Sequence, residues 1–212
     1  MILGIDEAGK GCIVGPLVIG AVLCKDQDVF SLLIKDSKML NAKQRNDAYF
    51  FIEEAVEAFE AVEVSIAEID KAVVINGFNW LEADHIVKLI DKYKPRICYI
   101  DCPHPRTNVF KEYIFERIKH KECNVVCAHK ADSKYPVVSA ASIVAKVTRD
   151  AKVDEIRERV GIDFGSGYLG DPKTKEFLSK HWEKHGDILR KSWKTYKNLV
   201  AAKSQTSLGQ FE

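Results

Sequence analysis

The first two apolar runs restrict the fold of this 212-residue chain more than any later feature. Ile2–Asp6 and Val14–Leu23 are rich in Ile, Val and Leu, with only a glycine-punctuated turn between them. A helical crossover needs roughly a dozen residues or more, so this short connection makes strands 1 and 2 antiparallel. Helical and strand periodicity then alternate. Asn41 and Gln44 have capping-box spacing, and Ala48, Phe51, Ile52, Ala55 and Phe59 recur at helical intervals. Val62–Ile66 reads as a third strand, Trp80–Tyr93 as a helix stopped before Pro95, and Arg96–Asp101 as a buried fourth strand. Thr107 is placed to cap a helix that turns Phe110, Ile114 and Ile118 inward, and Val125–Ala128 supplies a fifth strand. The pattern predicts an α/β chain whose five-stranded mixed sheet is flanked by helices.

Beyond Pro136, the Ala- and Ser-rich segment Val137–Val147 predicts a tightly packed helix that continues into the charged Arg149–Arg159. Gly161–Pro172 reads as loop, Lys173–Lys184 as helix, and Ile188–Ala202 as a helix around Trp193 and Tyr196, giving a C-terminal helical region. The last residues are polar and too few to fold alone. The length suits one domain with an appendage. Composition is that of an ordinary globular domain, with 46% hydrophobic and 30% charged residues. No charge-free apolar run approaches the roughly 18 residues of a membrane span, and Met1 leads straight into a β-patterned segment without a basic leader. A cytoplasmic, membrane-free location is therefore expected.

The net charge of +1 conceals an asymmetry. Residues 173–203 carry nine lysines and arginines against three acids, so a basic C-terminal region rides on an acidic body. Such a distribution suits a polyanion held by one part and cations held by the other, and it also describes a solvated helix face. Six cysteines include two pairs spaced by four, Cys98/Cys102 and Cys123/Cys127. Both pairs lie in strand-like runs, where four residues span about 13 Å, too far for two thiolates on one zinc. Buried free thiols are the expectation.

Acidic residues where apolar runs end carry the chemistry, because a carboxylate beside apolar sheet is costly without a compensating cation or hydrogen bond. Asp6 and Glu7 close the first run, Asp101 closes the fourth, and Asp132 follows the fifth. If strands 1, 4 and 5 are parallel neighbours, the four carboxylates gather at one edge. Adjacent residues on a strand point to opposite faces, so Asp6 and Glu7 converge only where the strand ends or twists. Clustered carboxylates favour raised pKa values or bound divalent cations, and all-oxygen ligation selects Mg²⁺ or Mn²⁺. Two such ions suit in-line phosphodiester hydrolysis. Any one of these acids could equally cap a turn, and the residue pattern alone leaves both readings open. Gly9-Lys10-Gly11 is not a P-loop, lacking the GxxxxGK[ST] spacing; it brings backbone against a nucleic-acid strand or simply turns a hairpin.

Five separated motifs together resemble the ribonuclease HII family of type 2 ribonucleases H, in its archaeal branch. They are GIDEAGKG at 4–11 followed by Gly15-Pro16, DSKML at 36–40, YID ending at Asp101, HKADSKYPVVSAASIVAKVTRD at 129–150, and GSGYLGDP at 165–172. The resemblance spans about residues 2–199. It implies a ribonuclease H-like catalytic domain over 1–164, a basic helical region over 165–203 and a flexible tail over 204–212. It also implies a monomeric endonuclease of replication and repair that cuts the RNA strand of RNA–DNA hybrids and duplex DNA containing single ribonucleotides. Asp6, Glu7, Asp101 and Asp132 match the family's metal-binding acids, for two Mg²⁺ or Mn²⁺ ions. Gly9, Lys10 and Gly11 match the Gly-Arg-Gly element that senses the 2′-hydroxyl, with Lys10 where arginine is commoner. Tyr168 matches the tyrosine that stacks at the ribonucleotide junction, and Lys38, Lys146 and Arg149 match phosphate-facing positions. The tail Gln205-x-x-Leu208-x-x-Phe211 resembles a sliding-clamp motif, with Glu212 where a second aromatic is usual. Among competing readings, a resolvase-like DNA nuclease has no use for the Gly9–Gly11 and Tyr168 elements. A non-catalytic nucleic-acid-binding module has no use for four intact acids, and ribonuclease HIII carries a large N-terminal extension.

Overall fold

The computed structural model describes residues 1–31 and 40–208, the last three by their backbone alone. Lys38, Phe211 and the side chain of Leu208 lie outside this description. Five strands, β1 (Ile2–Ala8), β2 (Leu17–Cys24), β3 (Ala58–Val64), β4 (Ile97–Asp101) and β5 (Asn124–Ala128), form one sheet in the order β3-β2-β1-β4-β5. β1 pairs antiparallel with β2, from Ile2↔Cys24 to Ala8↔Val18, as the short connection demands. β1, β4 and β5 run parallel, and the connections to β4 and β5 are long enough to hold helices. Among the described residues there are seven α-helices: α1 (Ala42–Ala55), α2 (Ile66–Val74), α3 (Phe78–Tyr93), α4 (Thr107–Arg117), α5 (Pro136–Val160), α6 (Pro172–His181) and α7 (Lys194–Leu208). None is long and apolar enough to cross a membrane.

The chain divides into two compact units, one of Met1–Ala8, Leu17–Glu63 and Asn79–Arg149, the other of Gly9–Pro16, Val64–Phe78 and Asp150–Glu212. Val22, Phe30, Ile52, Val138, Ala141 and Val144 belong to the apolar core of the first. The second packs around Ile13, Val14, Val153, Phe164, Phe177 and Leu189.

Local signals explain where the elements start. Asn41 Oδ1 accepts from the Gln44 N–H while Gln44 Oε1 accepts from the Asn41 N–H, completing the expected capping box of α1. α1 ends at Ala55, so Phe59 belongs to β3 and not to the helical face. Ser65 and Glu68 form a second capping box, which stops β3 at Val64 and opens α2, a helix absent from the sequence reading. α4 begins at Thr107 with Arg106 in the cap position, so Thr107 is its first helical residue and not its cap; Phe110, Ile114 and Ile118 are buried as expected. α6 stops at His181, short of Lys184. Ile188–Trp193 is not helical: Leu189 bridges to Val14, and α7 starts only at Lys194. That helix runs through Leu208, into the segment expected to be a flexible tail.

Glycines decide how closely α5 approaches the sheet. A Cβ on Gly4 would lie 2.3 Å from the Val137 carbonyl oxygen, and one on Gly20 would lie 2.2 Å from that of Ala141. These obstacles are helix backbone, which cannot rotate away as a side chain would. Gly20→Ala should therefore cost about 3 kcal/mol or prevent folding, measured by chemical denaturation; a loss near 1 kcal/mol or less would show that α5 can lift off the sheet cheaply.

Candidate active site

Strand register brings two of the four acids together. Ile5 pairs with Ile100 across the parallel β1–β4 ladder, so Asp6 and Asp101 occupy the next step on adjacent strands. Gly4 and Tyr99 share the preceding step on the same face; Gly4 touches α5, and Tyr99 stacks on Tyr135 at 4.1 Å. Asp132 sits in a 3₁₀ turn over Ala131–Ser133, entered through Lys130 at a left-handed φ of 54°. The Asp101 carboxylate fixes that turn by accepting the Ala131 N–H at 2.9 Å. β1 does not end at Asp6 but continues to Ala8, so Glu7 takes the alternate side of the pleat, its N–H donating to Asp6 Oδ1 at 2.8 Å. The convergence of Asp6 and Glu7 that a strand end would permit is not made by this backbone.

Asp6 is only 5% exposed. Burial first, then the neighbouring Asp101 carboxylate, pushes its pKa up to about 7; hydrogen bonds from Ser142 and Glu7 oppose the rise, and Asp132 adds to it. The Asp101 and Asp132 carboxylates thus both disfavour the charged form of Asp6. Among the described residues no three His, Cys, Asp or Glu side chains already stand as a ligand group around one point. The donor chemistry, carboxylate oxygen throughout, nevertheless fits a hard divalent cation of the Mg²⁺ or Mn²⁺ kind, whose charge would relieve the strain on Asp6.

In the second unit, Gly9-Lys10-Gly11 and Tyr168 come together. A Cβ on Gly11 would stand 3.8 Å from Tyr168 Cε1, and the tyrosine is 37% exposed. Gly9 holds a φ of 91°, open to glycine alone at low cost, and its carbonyl accepts the Cys12 N–H. The Tyr168 loop is fixed from beneath by fully buried Thr174, which accepts the Gly167 N–H and donates to the Phe164 carbonyl. Asp171 accepts the N–H groups of Ser166 and Lys173, and Gly167 O accepts the Ile13 N–H at 2.9 Å.

The largest residue that sequence reasoning missed is Arg190. Its guanidinium is wholly buried and donates to the carbonyls of Gly15, Lys10 and Gly9 at 3.0, 2.8 and 2.7 Å. An arginine in a basic, helix-like run looked like surface charge; only the non-helical path of 188–193, a bridge at Leu189 followed by a turn closed by the Trp193 N–H on the Arg190 carbonyl, turns it inward. Asp70 of α2 holds that path by accepting from the N–H groups of Lys191 and Ser192 and from the Ser192 hydroxyl. Ser65-x-x-Glu68 was the available signal for the helix that carries it.

The remaining expected positions divide. Lys146 is half-buried on α5, whereas Arg149 is 2% exposed and cannot serve as a solvent-facing phosphate contact. Gln205 is exposed on α7. All six cysteines are free, and all are buried except the half-buried Cys127. The bond between the Cys127 and Cys102 thiols draws Cys102, next to Asp101, down to about 7 and raises Cys127 itself.

The raised Asp6 carboxyl makes a signed prediction. A group that binds its proton more tightly when folded stabilises fully below its unfolded pKa, and that contribution fades as pH rises from about 4 to about 7. In chelator, Asp6→Asn should be more stable than wild type by about 4 kcal/mol at pH 8 and nearly equal to it at pH 4, read by thermal unfolding. A gain of equal size at both pH values would refute the electrostatic cause.

The sequence profile of the Ribonuclease HII family matches residues 3–196. Ribonuclease HII of Methanosarcina barkeri is 39% identical over 212 aligned positions, covering 94% of this chain and 95% of that one. The ribonuclease HII in the PCNA:RNase HII complex of Archaeoglobus fulgidus superposes with a TM-score of 0.82 at 38% identity, over 92% of this chain and 95% of that one. The ribonuclease H2 of Pyrococcus horikoshii does so at 0.83 and 35%, over 93% and 96%. With a five-stranded mixed sheet of matching architecture and a family match over nearly its whole length, the chain belongs to the ribonuclease HII family and is a ribonuclease H enzyme.

Proposed function

We propose that this ribonuclease H cuts the RNA strand of RNA–DNA hybrids and also cleaves duplex DNA on the 5′ side of a single embedded ribonucleotide, leaving 3′-hydroxyl and 5′-phosphate ends. The observation that carries the reading is the buried Asp6 carboxyl, raised to about 7 by burial and by the neighbouring Asp101 and Asp132 carboxylates, oxygen donors brought together on and beside the parallel strands. Asp6, Asp101 and Asp132 would hold two divalent cations; Glu7, which the pleat turns to the other side, would join them only through a twist at the end of β1. When bound, such ions supply the positive charge that an in-line phosphodiester displacement needs at its attacking and leaving oxygens. Asp101 has a second task, since its bond to the Ala131 N–H fixes the turn that presents Asp132. Ser142 and the Glu7 N–H orient Asp6.

Substrate choice falls to the second unit. Gly9, Lys10 and Gly11 read the 2′-hydroxyl, the one group that separates RNA from DNA at a given site, and Tyr168 stacks on the sugar or base that follows. The contact between Gly11 and Tyr168 supports a single reading element, and Arg190 keeps its backbone in place. Lys146 and Lys38 add phosphate contacts that steepen the salt dependence of binding. The enzyme acts in ribonucleotide excision and removal of RNA primers, and residues 205–211 dock on a PCNA-type sliding clamp. The Archaeoglobus fulgidus complex, in which a ribonuclease HII pairs with PCNA, supports that partner.

Cleavage of labelled duplexes tests the activity. A duplex with one ribonucleotide and an RNA–DNA hybrid should be cut with Mg²⁺ or Mn²⁺ and spared in chelator, and Asp101→Asn should lower the rate by about 10³-fold or more. Equal cutting of an all-DNA duplex would instead indicate a DNA-directed nuclease, and tight binding without cutting a non-catalytic module. For the clamp, calorimetry with an archaeal PCNA should show binding by the full chain that Phe211→Ala weakens about tenfold or more; unaltered affinity would remove the tail from the interface.

A further inference from the structure

Strand register regroups four of the six cysteines. In sequence they form the pairs Cys98/Cys102 and Cys123/Cys127, but on the parallel β4–β5 ladder Cys98 stands opposite Val125, and Ile100 opposite Cys127. The neighbours are therefore Cys98 with Cys123, whose thiols sense each other, and Cys102 with Cys127, whose thiols are hydrogen-bonded. In both couples the β5-side cysteine lies two places before the level of its β4-side partner. The diagonal relation is the same, and the surroundings are not.

Access differs first. Cys98 and Cys123 are shut away from solvent, whereas Cys127 is half-buried beside Cys102. Freedom to move differs as well. Diagonal neighbours on paired strands stand about 7–8 Å apart at Cα, and a disulfide spans about 7 Å at most without backbone movement. Cys98 lies inside β4, where such movement would break strand pairing. Cys102 follows the last residue of β4 and is held by separate contacts instead of a ladder. Its N–H donates to the Ala128 carbonyl at 3.0 Å and its thiol to the His104 carbonyl at 3.5 Å. The His129 ring nitrogens each lie 3.3 Å from a carbonyl, one from that of Cys102 and the other from that of Pro105.

The residue before Cys102 is Asp101, whose carboxylate fixes the Asp132 turn through the Ala131 N–H. Backbone drawn toward β5 at Cys102 is drawn at Asp101 too.

We propose that Cys102 and Cys127 form an oxidation site, at which a hydroperoxide closes a disulfide that displaces Asp101 and slows cutting. One sulfur attacks the peroxide, whose O–O bond breaks to give a sulfenic acid and, from hydrogen peroxide, water. The other sulfur then displaces the hydroxyl group as a second water, and the S–S bond forms. Two thiols and one hydrogen peroxide become one disulfide and two waters; the sulfurs lose two electrons and the peroxide oxygens gain them. The bond itself stands on the two thiols, while its effect on cutting rests on the role given to Asp101 above.

Peptide mapping and cleavage on the full-length enzyme test both halves. Reduced wild type is treated with hydrogen peroxide, alkylated and digested. The map should show Cys102 linked to Cys127, with Cys98 and Cys123 still alkylated. The treated enzyme should cut an RNA–DNA hybrid with Mg²⁺ about tenfold or more slowly, and dithiothreitol should restore the rate. Cys127→Ser should cut like wild type and keep its rate after peroxide. The map is read on wild type and does not depend on the variant folding. Both thiols left alkylatable, sulfinic acid without a link, or a link to another cysteine would overturn the site. A Cys102–Cys127 link that leaves the rate unchanged, or equal inactivation of Cys127→Ser, would overturn its effect on cutting. A reduced enzyme that cuts no hybrid would refute the cleavage reading, and the map would still decide whether the bond forms.

Discussion

The seating of α5 on the sheet is the constraint from which the environment of Asp6 follows. Gly4 and Gly20 let helix backbone approach to distances that no side chain would allow. That approach puts Ser142 within hydrogen-bonding reach of Asp6 and takes the carboxylate out of water. The same packing that stabilises the first unit therefore creates a carboxyl that is costly to ionise there. A bound cation would relieve that cost, which is the balance expected where stability is given up for a functional group.

The second unit is organised on a different principle. Its central device is a buried guanidinium satisfied by backbone carbonyls, not by a carboxylate. A charge removed from water must regain its hydrogen bonds, and Arg190 regains them from the turn that carries Gly9 and Lys10. The cost of burial thereby becomes a specification of loop shape. Around it, Asp70, Thr174 and Asp171 satisfy backbone groups of two further irregular segments, so these loops are held in place without belonging to regular elements. Irregular backbone presented to a ligand needs that support, since no helix or strand ladder fixes it.

Errors in the sequence reading fall where periodicity and local chemistry compete. Val62–Ile66 alternates like a strand, but the Ser65–Glu68 capping box breaks it, because satisfying two helix-end N–H groups outweighs continued alternation. Ile188–Trp193 has helical composition and is a bridge followed by a turn, because Leu189 finds a partner in Val14 and Arg190 finds its carbonyls, contacts more than 170 positions away in the chain. Arg149 has the charge of a phosphate contact and the burial of a core residue.

The sequence by itself determined the α/β class, the antiparallel first pair and the motif set of the ribonuclease HII family. These are local or additive signals: apolar period, connection length and residue type at short spacing. Tertiary structure alone decided that Asp6 and Asp101 each follow the last pair of the β1–β4 ladder, Ile5↔Ile100, that Glu7 falls on the other side of the pleat, and that Arg190 points inward. Strand register, helix depth and the burial of a charge all depend on partners far away in the chain, and one sequence read along its length does not contain the distances that couple them.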